Sequence, residues 1–199
     1  MGIEELRKSG NLQPLAESKL TMGYTTTFEG QFDLDKPLTP GHKAYLERFA
    51  ETRHMLWNES MLPSIPDPIR EAAELPLGLF SIYFTGITDY SISLTHYSCN
   101  GRPAYHPALV NYNPTPAGVP GLWCKWAPNE QGTAIKWNGA EKFYDYVEWL
   151  QFLIQHFLSP WGYALNGSVK WQGERRTDKG TIEVKANDLI VTEDEEEIL

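Results

Sequence analysis

Six of the seven tryptophans of this 199-residue chain lie between Trp123 and Trp171. Tryptophan is large and apolar, and its indole N–H needs a hydrogen-bond partner when the ring is buried. A group this dense marks either the centre of a hydrophobic core or an aromatic recognition surface. Which of the two applies decides most of what the sequence indicates about function, and any tryptophan outside the core is a first candidate for a binding role.

The segment around Trp149 has the pattern of a central helix. Asn138 and Glu141 are spaced as a capping box, and Pro160 ends the segment. The remaining circumference is apolar, so we expect this helix to pack on a sheet with Trp149 in the core. Its polar side chains recur every three or four positions on one narrow stripe, at Lys142, Asp145, Glu148, Gln151 and Gln155.

Alternating apolar residues predict strands on both sides of this helix. The segment YTTTFEGQFDL alternates, and Thr39 followed by Pro40 is typical of a helix start. GLWCKW and TAIKW predict two short strands, Asn166-Gly167 predicts a two-residue hairpin, and IEVKA and LIVTE predict later strands. The order predicts an α+β fold, an antiparallel sheet with two main helices on one face. We expect a ferredoxin-like βαββαβ-type core plus an extra C-terminal hairpin.

The chain is predicted to form one domain with two extensions. Residues 1–21 lack clear apolar periodicity and form an N-terminal extension, whereas residues 22–192 form a single α+β domain. Within that domain, residues 57–120 are rich in proline and turn residues and are interpreted as an irregular insertion. Residues 193–199 are expected to be a disordered acidic tail, because they open with five consecutive acidic residues.

The charge and hydropathy of the chain exclude several classes of partner. A net charge of −9 argues against binding to naked nucleic acid, which needs a basic surface. Five of these nine negative charges lie in the acidic tail, so the body of the protein is only mildly acidic. No segment approaches the run of about 20 apolar residues that spans a bilayer. The N-terminus has acidic residues and no apolar signal segment, so we expect a cytoplasmic protein without membrane association.

The common catalytic and cofactor motifs are missing from the sequence. It contains no G-x-S-x-G elbow, no G-x-G-x-x-G and no phosphate-binding P-loop, and its two cysteines lie in no recognised catalytic motif. Asp145 and Glu148 could do acid–base work, although a solvated helix face is the commoner reason for such a pair. We therefore expect no cofactor and no catalytic residue. We also expect no metal, because the spacing of His96, Cys99, His106 and Cys124 matches no zinc-finger pattern.

The candidate binding residues lie beside the tryptophan cluster and at a later turn. Trp123 and Trp126 are three apart, so on one strand they would point to opposite faces of the sheet. If the second sheet face is open, one of them forms an exposed aromatic platform with Tyr163. Packing in the core or against the insertion is the alternative. With the neighbouring basic side chains, the candidate binding residues are Trp123, Lys125, Trp126, Tyr163, Arg175 and Arg176.

Three segments resemble a group of uncharacterised proteins of bacteria and of their phages and prophages. They are GYTTTFEGQF, GLWCKW and TAIKWNGAEKFYDYVEWLQFLIQHFLSPWGYALNGSVKWQGE. The resemblance covers residues 22–192 and is closest over residues 119–192. It implies that the family sequence starts at Met22 and that the protein is a small accessory protein of a mobile element. It implies no activity, cofactor or catalytic residue.

Two main functional hypotheses follow from these patterns. The first is a non-enzymatic accessory binding protein of phage or prophage type, such as an inhibitor of a host or rival system or an immunity-like protein, with a protein as its partner. The alternative is a nucleotide-like small-molecule binding domain, or an enzyme, with a site between sheet and insertion. There, Trp123 or Trp126 would stack on the ligand, and Lys125, Arg175 or Arg176 would contact an anion. A self-assembling structural component is a third reading, and the sequence leaves the oligomeric state open.

Overall fold

A computed structural model describes residues 23–88 and 106–194, together with the backbone of two short strands between these ranges. The predicted N-terminal extension and the last five residues of the acidic tail lie outside the described residues. The elements, in chain order, are β1 Thr27–Leu34, α1 Pro40–Glu51, β2 Leu56–Trp57, α2 Pro68–Ala72, β3 Tyr97–Cys99, β4 Arg102–Ala104, β5 Leu109–Asn111, β6 Trp126–Pro128, β7 Ala134–Trp137, α3 Tyr146–Leu153, β8 Leu165–Gln172, β9 Lys179–Lys185 and β10 Asp188–Glu193.

One six-stranded antiparallel sheet organises the fold. Its strands lie in the order β10-β9-β8-β1-β7-β6, while β2 pairs with β5 and β3 pairs with β4. Because the helices pack on this antiparallel sheet, the predicted α+β class is confirmed. The predicted core corresponds to β1, α1, β6, β7, α3 and β8, and the β9–β10 hairpin extends the sheet beyond β8. Its assignment to the ferredoxin-like arrangement stays a prediction.

The sheet has one buried face and one polar, exposed face. The buried side chains join Tyr45 and Phe49 of α1 and Trp149 of α3 in one core, so both helices cover the same face. The core residues of the sheet include Phe32, Leu165, Val169, Trp171, Ile182 and Val184. The alternate residues of β1, β8 and β9 point away from the helices and are all polar, with Glu29, Lys170 and Glu183 exposed. The described part of the insertion packs partly around a second cluster and partly against the main core, where Ala73 and Val119 are buried, and it leaves the polar face open.

The helix starts follow the sequence signal at α1 but not at α3. At α1, the Thr39 hydroxyl accepts a hydrogen bond from His42 N (3.3 Å), as the Thr-Pro pair predicts. The predicted start of α3 near Glu141 is wrong, because the helix begins at Tyr146. Before that point the chain turns through left-handed backbone at Lys142 (φ 59°) and Asp145 (φ 53°). These turns allow Phe143 to bury its ring beside Trp126, with the ring centroids 5.4 Å apart.

The predicted hairpin at Asn166-Gly167 is also wrong. Strand β8 runs straight through this pair, and Gly167 lies opposite Phe32 of β1. Glycine is needed at this position because its φ is +130° and an added Cβ would lie 2.9 Å from the Gln31 carbonyl oxygen. The real hairpin turn is at Ala186-Asn187, where both residues have positive φ. There Asn166 contributes its side-chain oxygen, which accepts a hydrogen bond from Ala186 N (2.8 Å).

Replacing Gly167 with alanine should lower the free energy of unfolding by about 2–3 kcal/mol, because strain from positive φ adds to a clash with β1. Gly139 is the matched control, since its φ is +85° but no atom lies within 4 Å of an added Cβ. G139A therefore reports the backbone strain without the clash, and we expect a loss of only about 1 kcal/mol. Urea denaturation of both variants measures the difference. Equal losses would show that the approach of β1 to Gly167 does not limit the side chain there.

Candidate functional site

Trp126 belongs to the core, so the expectation that it lines an open aromatic platform is wrong. Its side chain is 1% exposed, and its indole N–H donates to the Tyr146 carbonyl oxygen at 2.7 Å. Its ring also contacts Phe28 and Phe143 edge-on. A ring enclosed in this way cannot stack on a ligand, so the nucleotide-binding alternative loses one of its two predicted stacking residues.

Trp123 lies just before β6 rather than on a strand, and it is half-buried. The expectation that Trp123 and Trp126 point to opposite faces of the sheet assumed that both lie on one strand, and it does not apply because β6 begins at Trp126. The Arg53 guanidinium lies 5.7 Å from the Trp123 ring and 3.9 Å from the Tyr112 ring. Arg53 Nε also donates to the Tyr112 carbonyl oxygen (3.2 Å). Arg53, which follows α1, therefore contacts both Tyr112 of the insertion and Trp123 in the segment that leads into the sheet, and Trp123 takes part in a cation–π contact.

Lys125 and Tyr163 have structural contacts of their own. The Lys125 ammonium donates to the Glu141 carbonyl oxygen, and burial lowers the pKa of Lys125. Tyr163 is buried, and its hydroxyl accepts a hydrogen bond from Thr39 N (3.1 Å) and shares one with His42 Nδ1 (3.0 Å). Tyr163 thereby fixes the start of α1 instead of facing solvent with the tryptophans. Its place in an exposed aromatic platform is corrected for that reason.

The two arginines, Arg175 and Arg176, are exposed in the turn between β8 and β9. The backbone of this turn is fixed, because the Arg175 carbonyl oxygen accepts a hydrogen bond from Gln172 Nε2 (2.8 Å) and the Glu174 carboxylate accepts one from Thr25 N (2.8 Å). The six candidate residues thus have separate sets of neighbours and do not line one described site. The burial of Trp126 and Tyr163 contradicts their place in an exposed platform, and the binding roles of the other four residues stay predictions.

One of the buried titratable groups is His54, which packs against Trp149 with ring centroids 5.1 Å apart. Burial lowers the pKa of His54 to about 3, against a slight increase from a hydrogen bond to the Phe49 backbone. Its Nε2 atom and the Trp149 indole nitrogen have no hydrogen-bond partner among the described atoms. Burial therefore keeps the His54 imidazole neutral at ordinary pH and places it in the core beside Trp149.

A second buried polar group, Asp67, connects two parts of the insertion. Its side chain accepts hydrogen bonds from Thr85 N (2.7 Å), Thr85 Oγ1 (3.0 Å) and Arg70 Nε (3.2 Å). It also caps α2 by accepting from Arg70 N (3.4 Å). All these donors belong to the protein itself, so the carboxylate is engaged in holding the fold.

The two edges of the sheet differ, and this difference identifies the candidate site. Strand β6 has only three residues, ends in Pro128 and packs against α1, features that protect a sheet edge. Strand β10 has six residues with an apolar centre, and Ile190 and Val191 are 59% and 41% exposed. Within the described ranges, β9 is the sole pairing partner of β10.

The register of β10 shows which backbone groups are available at this edge. Residues that face each other across an antiparallel ladder alternate between hydrogen-bonded and non-hydrogen-bonded pairs. Asp194 N donates to the Lys179 carbonyl oxygen (3.0 Å), so the even-numbered residues of β10 direct their backbone groups toward β9. Leu189, Val191 and Glu193 must then direct their N–H and C=O groups away from the sheet. We refer to the outward side of β10 at these three residues as the β10 edge.

The described residues also bear on membranes and metals. No helix in the described part of the chain is long and apolar enough to cross a membrane. Over the same residues, His, Cys, Asp and Glu side chains form no group of three that could hold a metal ion. Of the considered zinc ligands, His96 and the Cys99 side chain lie outside the described residues, whereas Cys124 is buried and burial raises its pKa to about 12.

No protein-family model, no curated protein and no solved structure matches the chain.

Proposed function

We propose that this protein is a non-enzymatic binding protein whose β10 edge pairs with an extended segment of a partner protein. The single observation that supports this most is the backbone of Leu189, Val191 and Glu193, whose outward groups pair with no other described strand, beside the exposed side chains of Ile190 and Val191. An edge that offers both hydrogen bonds and apolar surface is the feature used in recognition by strand addition. The resemblance to phage and prophage proteins is in keeping with an accessory role, such as that of an inhibitor or an immunity-like protein.

Strand addition at this edge needs no catalytic group. The three outward residues of β10 supply three N–H donors and three carbonyl acceptors for a seventh strand. Each new hydrogen bond contributes about 1 kcal/mol net, so affinity also depends on covering the apolar side chains. The rigid β8–β9 ladder behind β10 holds these groups in place before the partner arrives, which reduces the entropy lost on binding.

A photocrosslinking amino acid at position 191 of the full chain tests this proposal in bacterial cells. The same group at Ser168 is the control, because Ser168 is exposed on the polar face of β8, away from the edge. We expect a discrete cross-linked protein from position 191 that excess unlabelled chain suppresses, and no such species from position 168. Equal yields at both positions, or cross-links only within the chain, would contradict the proposal.

A further inference from the structure

We infer that the segment received by the β10 edge is basic, with apolar residues at its centre and lysines or arginines at one end; this inference rests on the proposed function. The first support is the charge at the C-terminal end of β10. Glu193 and Asp194 lie there, and the sequence continues with Glu195, Glu196 and Glu197. A partner with cations at that end would be drawn to it electrostatically.

This negative charge is poorly compensated within the described residues. Lys179 approaches Asp194 at 3.9 Å, but both side chains are about half exposed, so the contact is weak. At the other end of β10, Asp188 faces Lys185 directly across the ladder. The edge is therefore balanced at its N-terminal end and negative at its C-terminal end, which places the partner's cations beside Glu193 and Asp194.

The apolar centre of the partner follows from the two faces of β10. Val191 lies opposite Ile182, which is buried beneath the helices, so Val191 extends the core side of the sheet. Ile190 lies opposite Glu183 and points to the polar outer face. A strand added here would therefore have an apolar neighbour on each face near its middle, Val191 on the core side and Ile190 on the outer side.

A second copy of this chain fits the edge less well than a basic segment. Parallel pairing of two β10 edges would place their acidic ends side by side, and like charges on neighbouring strands are destabilising. Antiparallel pairing would place each acidic end beside Asp188 of the other copy, where Lys185 of the neighbouring strand already faces the Asp188 carboxylate, so neither arrangement supplies an excess of cations. A dimer of the full chain that dissociates when the edge is blocked would therefore overturn the inference.

The test measures binding of the full chain to two synthetic peptides that differ only in charge. Both carry the apolar centre V-I-V, flanked in one by lysine and arginine and in the other by glutamate. We expect the basic peptide to bind about tenfold or more tightly than its acidic twin, and to weaken as salt rises from about 50 to 300 mM. Equal binding of the two peptides would overturn the inference.

Variants of the edge separate strand addition from simple charge attraction. V191P removes one outward N–H without touching the ladder to β9, so we expect about tenfold weaker binding with an unchanged thermal midpoint. The double variant E193K/D194K should greatly reduce the preference for the basic peptide, because its two lysines offset most of the charge of the three remaining glutamates. The basic peptide with N-methyl groups on the alternate nitrogens that would face the edge gives the same comparison on the unaltered protein, should V191P fail to fold.

Full binding of the N-methylated peptide, or of a folded V191P protein, would show that the acidic run attracts cations without strand addition and would overturn the inference. If cross-linking at position 191 captures a partner while the peptides show no charge preference, the proposed function stands and the inference fails. If position 191 captures nothing and neither peptide binds, both fail.

Discussion

Replacing Asp67 with alanine should lower the free energy of unfolding by about 3–5 kcal/mol, because the change leaves buried groups without their partner. Asp67 is 1% exposed, and the Arg70 side chain that pairs with it is only 12% exposed. The variant also deprives Thr85 N and Thr85 Oγ1 of their common acceptor. Since α2 and the segment around Thr85 meet through this carboxylate, their packing should loosen together.

Glu71 provides the matched control for Asp67, because both carboxylates contact the same arginine. Glu71 is 62% exposed and lies 3.3 Å from Arg70 Nη2, so E71A should cost less than about 1 kcal/mol. Urea denaturation monitored by tryptophan fluorescence gives both values. Similar losses in D67A and E71A would mean that burial does not set the strength of the Asp67 contacts.

Acidification should destabilise the fold through His54, with the loss confined to a defined pH window. In the unfolded chain this imidazole takes up a proton below its ordinary pKa of 6.5, whereas in the folded protein burial lowers the pKa to about 3. Between these values the unfolded state binds more protons, so stability falls as pH decreases through the window. Above about pH 6.5 both states are neutral and His54 adds no pH dependence. At pH 3 the loss amounts to about 4–5 kcal/mol.

H54Q isolates this effect from the carboxylates that titrate in the same range. Glutamine does not titrate, so the free energy of unfolding of H54Q should fall less steeply between about pH 6.5 and 3 than that of the unaltered protein. Chemical denaturation at five or six pH values gives the two curves. Parallel curves would show that His54 titrates with the same pKa in the folded and unfolded states.

Local sequence signals predicted the parts of the fold that depend on neighbouring residues. The cap of α1 joins Thr39 to His42, only three positions later, so it can be predicted from neighbouring residues. The burial of Trp149 and Trp171 follows from helical and strand periodicity. The α+β class follows from the succession of such elements. The strand LIVTE was also predicted, and the structure places it within β10.

Features set by distant parts of the chain were missed. The Asn-Gly pair at Asn166-Gly167 resembles a hairpin turn, but the approach of β1 to Gly167 decides its conformation. The late start of α3 depends on the contact between Phe143 and Trp126, which are far apart in the sequence. The β10 edge could not be located because strand order is set by non-local pairing. For the β10 edge, the sequence offered only one signal, which was a predicted apolar strand, LIVTE, followed by acidic residues.

Amide hydrogen exchange along β10, measured by NMR, tests the central claim most directly. In the free protein, the outward amides of Leu189, Val191 and Glu193 should exchange fast, whereas those of Ile190 and Thr192, directed toward β9, should exchange slowly. Saturation with the basic peptide should slow the outward amides to rates near those of their inward neighbours. Outward amides already protected in the free protein, or still fast in the saturated complex, would contradict pairing at this edge.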